Sequence, residues 1–253
     1  MEVYICSNVF VPLRSGPSHK SEMLSQILFG EKYTIRGKAG NWMKVTTLFD
    51  NYSGWIDLDH VQPKPYTTEE KGEVLTRALR CYRPDGTKLI LEAGSEIYNP
   101  NFAELTFQLG NDKFTTSDSF TEGYIKVTES KAESAARFLN CPYIWGGRIP
   151  SGIDCSGLTQ LVYKLHGIAI PRDSWQQSEA GTTVSFLEEA ENGDLLFFDN
   201  DKGKITHVGL LMSQGLVIHA SGRVRIDRLD HQGIYRDDLN RYTHRLRTIV
   251  RVR

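Results

Sequence analysis

The sequence predicts an all-β amino-terminal half joined to an α+β carboxy-terminal domain. Three observations lead there. Up to residue 127 the apolar residues fall in short β-branched and aromatic runs cut by glycine, asparagine and proline turns. At Thr128 the pattern turns helical, and a second amphipathic helix follows in "DCSGLTQLVYKLHG", residues 154–167. Beyond it come strand runs again, an order of helix then antiparallel strands.

The amino-terminal strands are "EKYTIRG" and "WMKVTTLF", separated by the turn "KAGN", then "SGWIDL" after "FDNY". Two prolines in "QPKPY" break the chain and set a boundary at residue 65. Residues 66–127 carry "TKLILEAGSEIYN", "ELTFQLGN" and "GYIKVT", which read as strands of a second small β-unit. In the domain of residues 128–253, Ala132, Ala135, Ala136 and Leu139 fall at helical spacing. Ser130 and Glu133 form a capping box, and Asn140 ends the helix. In the next helix Leu158, Leu161, Val162 and Leu165 make an i, i+3, i+4, i+7 stripe that stops at Gly167. "DLLFFD", "ITHVGLLM", "LVIHAS" and "RTIVRVR" are the strand candidates that follow.

With 30 Lys+Arg against 31 Asp+Glu, the net charge of −1 argues against bulk attraction to nucleic acid or anionic membrane. The start "MEVYICSNVFVPLRSG" is no secretory signal and no window is apolar enough to span a membrane, so a cytoplasmic protein is expected. Cys6, Cys81, Cys141 and Cys155 lie far apart without paired metal spacing. Cys6, Cys81 and Cys141 read as small buried hydrophobes.

Cys155 opens a helix, where unpaired backbone N–H groups and the helix dipole favour a thiolate. Position alone suits a core cysteine better. Two histidines change the balance. His207 in "ITHVGLLM" and His219 in "LVIHAS" lie in strands that, if adjacent, bring both rings to one sheet face, with Val208, Leu210 and Met212 on the other. A thiol, a base and a group that orients the base are the parts of a cysteine nucleophile.

"DCSGL", "HVGLLM" and "VIHASG", with "YIWGG", "IPRDSWQQ" and "NGDLLFF" around them, resemble the NlpC family of papain-like bacterial cell-wall cysteine peptidases over residues 128–253. The stretch from "VPLRSGPS" to "SGWI" is similar to a bacterial SH3-like domain. Together they resemble the subgroup that cuts γ-D-glutamyl–L-diamino acid bonds. The resemblance implies a papain-like domain behind small SH3-like barrels, with Cys155 as nucleophile, His207 as general base and His219 orienting it. Tyr143 and the Cys155 N–H would hold the oxyanion. Asp154 would meet the free α-amine of the substrate's L-Ala, with Ser156 and Ser174 fixing the peptide; Asp154 and Ser156 also suit helix caps. Tyr52 and Asp50 of the SH3-like domain are candidates to close the pocket. Arg172 is a candidate for the D-Glu carboxylate or for an ion pair with Asp173 or a neighbour. Trp145 and Trp175 would wall a cleft or pack in the core. The expected product is L-Ala–γ-D-Glu from a muropeptide in recycling, with no metal or cofactor and with meso-diaminopimelate or L-Lys as the diamino acid. A secreted endopeptidase on intact peptidoglycan and a non-catalytic wall-binding module are the alternatives.

Overall fold

Short amphipathic strands need partners along both edges and a cover over one face. The first of the chain's two compact units, residues 1–127, meets that need with two antiparallel sheets. The computed structural model describes residues 2–61, 63–66, 71–116, 120–213 and 215–253. The first sheet holds β1 (Val3–Ile5), β2 (Phe10–Arg14), β3 (Met23–Leu28), β4 (Lys32–Ala39), β5 (Trp42–Thr47), β6 (Ser53–Asp57) and β7 (Lys64–Pro65), in the order β3-β2-β6-β5-β4-β1-β7. The second holds β8 (Glu73–Val74), β9 (Leu79–Tyr82), β10 (Lys88–Leu91), β11 (Glu96–Asn101), β12 (Thr106–Leu109) and β13 (Asp112–Thr116), in the order β10-β9-β13-β12-β11-β8.

Leu13, Ile27, Val45 and Ile56 fill the first sheet's own core. Ile5 and Phe29 instead join Leu91, Ile97, Phe107 and Phe114 of the second. The Phe29 ring sits edge-on to Phe107 and Phe114, at 6.2 and 5.4 Å, and its carbonyl accepts from the Glu96 N–H at 2.8 Å. The two sheets therefore share a core. "GYIKVT" forms no strand: Glu122–Tyr124 is a 3₁₀ turn, and the Tyr124 carbonyl accepts from Thr76. Tyr124 and Ile125 pack against the second core. "TKLILEAGSEIYN" is two strands, β10 and β11, broken at Gly94, whose φ is 89°.

The second unit, residues 128–253, opens with α1 (Lys131–Ala136). Ser130 and Glu133 make its capping box. The helix loosens into i→i−3 bonds from Phe138 and Leu139 before Asn140, at φ 67°, turns the chain. The hairpin β14 (Arg148–Ile149) and β15 (Gly152–Ile153) leads into α2 (Cys155–Leu165) and the short α3 (Ser174–Gln177). Then come β16 (Thr182–Val184), β17 (Leu195–Asp199), β18 (Ile205–Ser213), β19 (Leu216–Ser221), β20 (Arg223–Asp230), β21 (Gly233–Arg236) and β22 (Arg241–Arg251). Their order is β16-β22-β17-β18-β19-β20-β21, and β21 also pairs with β22, so the sheet closes into a barrel.

Strand alternation sorts the side chains of this barrel. Val208, Leu210 and Ile218 are fully buried on one face, and α2 packs against β18 and β19. Leu196, Phe198, Leu211, Val217, Leu229 and Ile234 form a cluster on the other face, and by the same alternation His207 and His219 belong to it. Met212, expected in the core, is partly exposed. Among the described residues no helix is long and apolar enough to cross a membrane.

The shared core of the first unit predicts that Phe29→Ala costs about 3–5 kcal/mol in urea unfolding. A loss under about 1 kcal/mol, the scale of a minor surface change, would contradict it.

Candidate active site

The start of α2 is fixed by a carboxylate. Asp154 is the N-cap, and its Oδ1 accepts from the Gly157 N–H at 2.7 Å. Its Oδ2 accepts from the Gly146 N–H at 2.8 Å. Gly157 is required by close approach, since a Cβ there would lie 2.1 Å from the Gly147 carbonyl oxygen. Arg172 grips the same carboxylate through both nitrogens, Nη1 to Oδ1 at 3.0 Å and Nη2 to Oδ2 at 2.6 Å, and Nη1 also donates to Ser156 Oγ at 2.8 Å. Both side chains are buried, 2% and 7% exposed.

This geometry bears on two expectations. Arg172 pairs with Asp154, eighteen residues away in sequence. Asp154 is not open to an ammonium, because its oxygens already accept from two backbone N–H groups, the guanidinium fork and the Ser156 hydroxyl at 3.3 Å. A carboxylate offers about four acceptor sites. Ser156 is likewise drawn into this cluster. Gln177 holds the loop against the helix, its Nε2 donating to the Ser156 and Pro171 carbonyls at 3.0 and 2.8 Å and its Oε1 accepting from Thr159 at 2.7 Å.

Cys155 is the first residue of α2, so its N–H has no partner within the helix. Its sulfur accepts from the Val208 N–H, which brings the thiol beside the residue that follows His207. His207 Nε2 lies 2.7 Å from His219 Nδ1, and His219 Nε2 lies 2.9 Å from Asp227 Oδ2. Arg225 clamps Asp227 from the far side, Nε to Oδ2 at 2.6 Å and Nη2 to Oδ1 at 2.7 Å. Gly209 stands opposite His219 in the ladder, where a Cβ would come within 3.0 Å of the His219 Cβ. The missing side chain leaves room for the two rings to meet.

Asp227 fixes the protons of this chain. Burial opposes its ionisation, but the hydrogen bonds from His219 and Arg225 outweigh it and hold the carboxyl below its ordinary pKa. An ionised carboxylate only accepts, so His219 carries its proton on Nε2. The neutral ring then presents a lone pair at Nδ1, and His207 must donate from Nε2. The remaining lone pair of His207 is at Nδ1, the nitrogen free to serve a thiol.

Both rings favour the neutral form. Burial first, then His219 and His244, hold His207 well below the ordinary histidine value, and burial lowers His219 against the pull of Asp227. The thiol departs from the sequence expectation. Burial and then Asp154 push Cys155 up to about 12, and the Val208 and Ser156 N–H groups and Arg172 offset only part of it. Both shifts favour thiol and imidazole over thiolate and imidazolium in the resting pair. Tyr143 is half-buried, and its phenol is raised by burial, Cys155 and Asp154, which keeps it a donor.

Of the other expected residues, Ser174 is the first of α3 and partly exposed. Trp145 and Trp175 are 60% and 47% exposed, so core packing is excluded for both. Asp50 and Tyr52 lie in the first unit on the β5–β6 turn. There Asp50 Oδ1 accepts from the Thr47 hydroxyl and the Tyr52 N–H, and Tyr52 packs against the first core. Asp227, Arg225 and His244 were not among the expected residues; the signal for the first two is an Arg-x-Asp alternation inside "RVRIDRLD".

The profile of the NlpC/P60 family matches residues 140–243, and that of the bacterial dipeptidyl-peptidase Sh3 domain matches residues 13–61. The gamma-D-glutamyl-L-lysine dipeptidyl-peptidase of Bacillus subtilis (strain 168) is 32% identical, over 82% of this chain and 75% of its own. The protein of the same name from Bacillus cereus (strain ATCC 10987 / NRS 248) is 30% identical, over 80% and 68%. A crystal structure of an NlpC/P60 family protein from Bacillus cereus ATCC 10987 shares the fold, with a TM-score of 0.80 at 22% identity over 98% of this chain and 99% of that one.

Two predictions follow from the geometry of the second unit. Asp154→Asn leaves a buried guanidinium without its counter-charge and is expected to cost about 3–5 kcal/mol of stability; an unchanged denaturation midpoint would contradict the pairing. His207, His219 and His244 all have lowered pKa values, His244 to about 4. The unfolded chain, titrating near about 6.5, binds these protons first, so stability is complete above that pH and is lost as pH falls through the folded values. Calorimetry should show the second unit's melting temperature falling between pH 7 and 5; a flat profile would contradict buried neutral rings.

Proposed function

The chain belongs to the NlpC/P60 family, and on that premise we propose that it is a cysteine peptidase hydrolysing the amide between γ-D-glutamate and an L-diamino acid in cell-wall peptides with a free N-terminal L-Ala, releasing L-Ala–γ-D-Glu. The observation that carries this reading is the unbroken hydrogen-bonded chain from His207 through His219 to Asp227. The names of the two Bacillus relatives support the bond, and "dipeptidyl-peptidase" supports release of a dipeptide from a free amino end.

In this mechanism the Cys155 sulfur attacks the γ-carbonyl carbon while its proton passes to His207 Nδ1. Because the thiol is not ionised at rest, the two events are coupled. The imidazolium keeps its Nε2 proton on His219, with Asp227 at the end of the chain to balance the new charge. The carbonyl oxygen, now negative, receives the unpaired Cys155 N–H and the Tyr143 hydroxyl. The C–N bond breaks, and the His207 Nδ1 proton leaves on the diamino acid's amine. Water then attacks the thioester, giving its proton to His207, and the proton returns to sulfur as L-Ala–γ-D-Glu departs.

The experiment is incubation with L-Ala–γ-D-Glu–L-Lys and its N-acetylated form, with mass detection of products. The free peptide should yield the dipeptide and the acetylated one little. Equal rates would remove the dipeptidyl reading and favour an endopeptidase. Cys155→Ala should be folded and inactive; near-normal turnover would overturn the nucleophile. EDTA should leave activity intact, since the mechanism calls on no group beyond these side chains, the Cys155 N–H and water. Zinc-restored activity after chelation would contradict this. With His207 below about 6.5 and Cys155 pushed up to about 12, kcat/KM should lose activity only on its acid side across pH 5–9. A basic limb near neutrality would mean a thiolate–imidazolium pair instead.

A further inference from the structure

We propose that His244 is a positioning residue for this reaction: its imidazole lies flat on His207 and holds the plane of the base in which Nδ1 takes the Cys155 proton. The proposal rests on the reading of His207 as general base. The two rings are stacked, with centroids 4.2 Å apart and planes within 27°. His244 comes from β22, opposite Ile234 of β21 in the ladder, and its own Nδ1 is engaged by the Thr243 hydroxyl at 2.9 Å. The contact with His207 is therefore a face and not a hydrogen bond.

A second contact of this kind is needed because one hydrogen bond fixes where Nε2 lies but not the plane of the ring. The torsion about the Cβ–Cγ bond of histidine is broad and two-fold, so packing has to choose the plane. Phe198 reaches His207 only at a tilt, with centroids 5.8 Å apart, and His219 meets it edge-on at 5.0 Å. His244 alone among these three rings lies against its face. His244 is held in turn by edge contacts with His219 at 5.7 Å and Phe198 at 6.0 Å.

The charges around it suit that role. His207 on β18, His219 on β19, Asp227 on β20 and Arg236 on β21 all bear on His244 or its partner ring. Burial, His219 and Arg236 keep His244 neutral, against Asp227, so it stacks without setting a second cation beside the imidazolium that forms on His207. Loss of the His244 ring thus frees the plane of the base and misdirects Nδ1.

The test compares His244→Ala with His244→Phe in the full chain, with folding checked by near-ultraviolet circular dichroism. Two activities are read: hydrolysis of L-Ala–γ-D-Glu–L-Lys, and inactivation by iodoacetamide through alkylation of Cys155. The second needs no substrate, and near pH 7 it too depends on His207 taking the thiol proton. His244→Ala should lower kcat by about tenfold to a hundredfold with KM changed less than about twofold, and should slow alkylation in parallel. His244→Phe, which keeps an aromatic face, should recover most of both rates. Wild-type rates in His244→Ala, or a folded His244→Phe as slow as His244→Ala, would overturn the proposal. If no variant cuts the peptide but alkylation follows the Ala/Phe pattern, the positioning role stands and the substrate assignment falls.

Discussion

The hydrogen bond from His219 Nε2 to Asp227 Oδ2, 2.9 Å long, sets the direction of every proton above it. Asp227 can only accept, so His219 must donate downward and accept at Nδ1. His207 must then donate at Nε2 and is left with a lone pair at Nδ1. Reversing the first bond would turn the base into a donor facing a donor. Arg225 is therefore part of the site although it lies beyond the histidines: its two bonds at 2.6 and 2.7 Å keep Asp227 ionised and oriented inside the protein.

A second buried charge pair does for the thiol what Asp227 does for the base. Asp154 and Arg172 bind the loop before α2, the helix's first turn and the loop after it into one cluster. The two halves meet at the Val208 N–H, which donates to the Cys155 sulfur from the residue next to His207. Both halves hold neutral reactants in a buried place, so charge appears only as the bond to substrate forms. Such a site accepts a weak resting nucleophile in exchange for strong electrostatic response at the transition state.

Local signals carried the parts of this site that depend on local geometry. A helix start marked Cys155, the alternation of two strands put His207 and His219 on one face, and "SKAE" announced the capping box that Ser130 and Glu133 form. The parts set by closure were hidden. Arg225 and Asp227 alternate with Val224 and Ile226 as an ordinary half-exposed strand would, and only the β21–β22 pairing that closes the sheet turns their face inward. His244 depends on the same closure. The Asp154–Arg172 pair spans eighteen residues and a loop, beyond the reach of periodicity, and the thiol's raised pKa follows from an enclosure that a helix-start position does not reveal.

The central claim is the proton order along the chain. Long-range ¹⁵N–¹H correlation spectra of the histidine ring nitrogens, recorded near pH 7.5, test it directly. The account predicts that His207 and His219 are both neutral with the proton on Nε2 and the lone pair on Nδ1. A His207 protonated on Nδ1, or present as imidazolium at that pH, would contradict it.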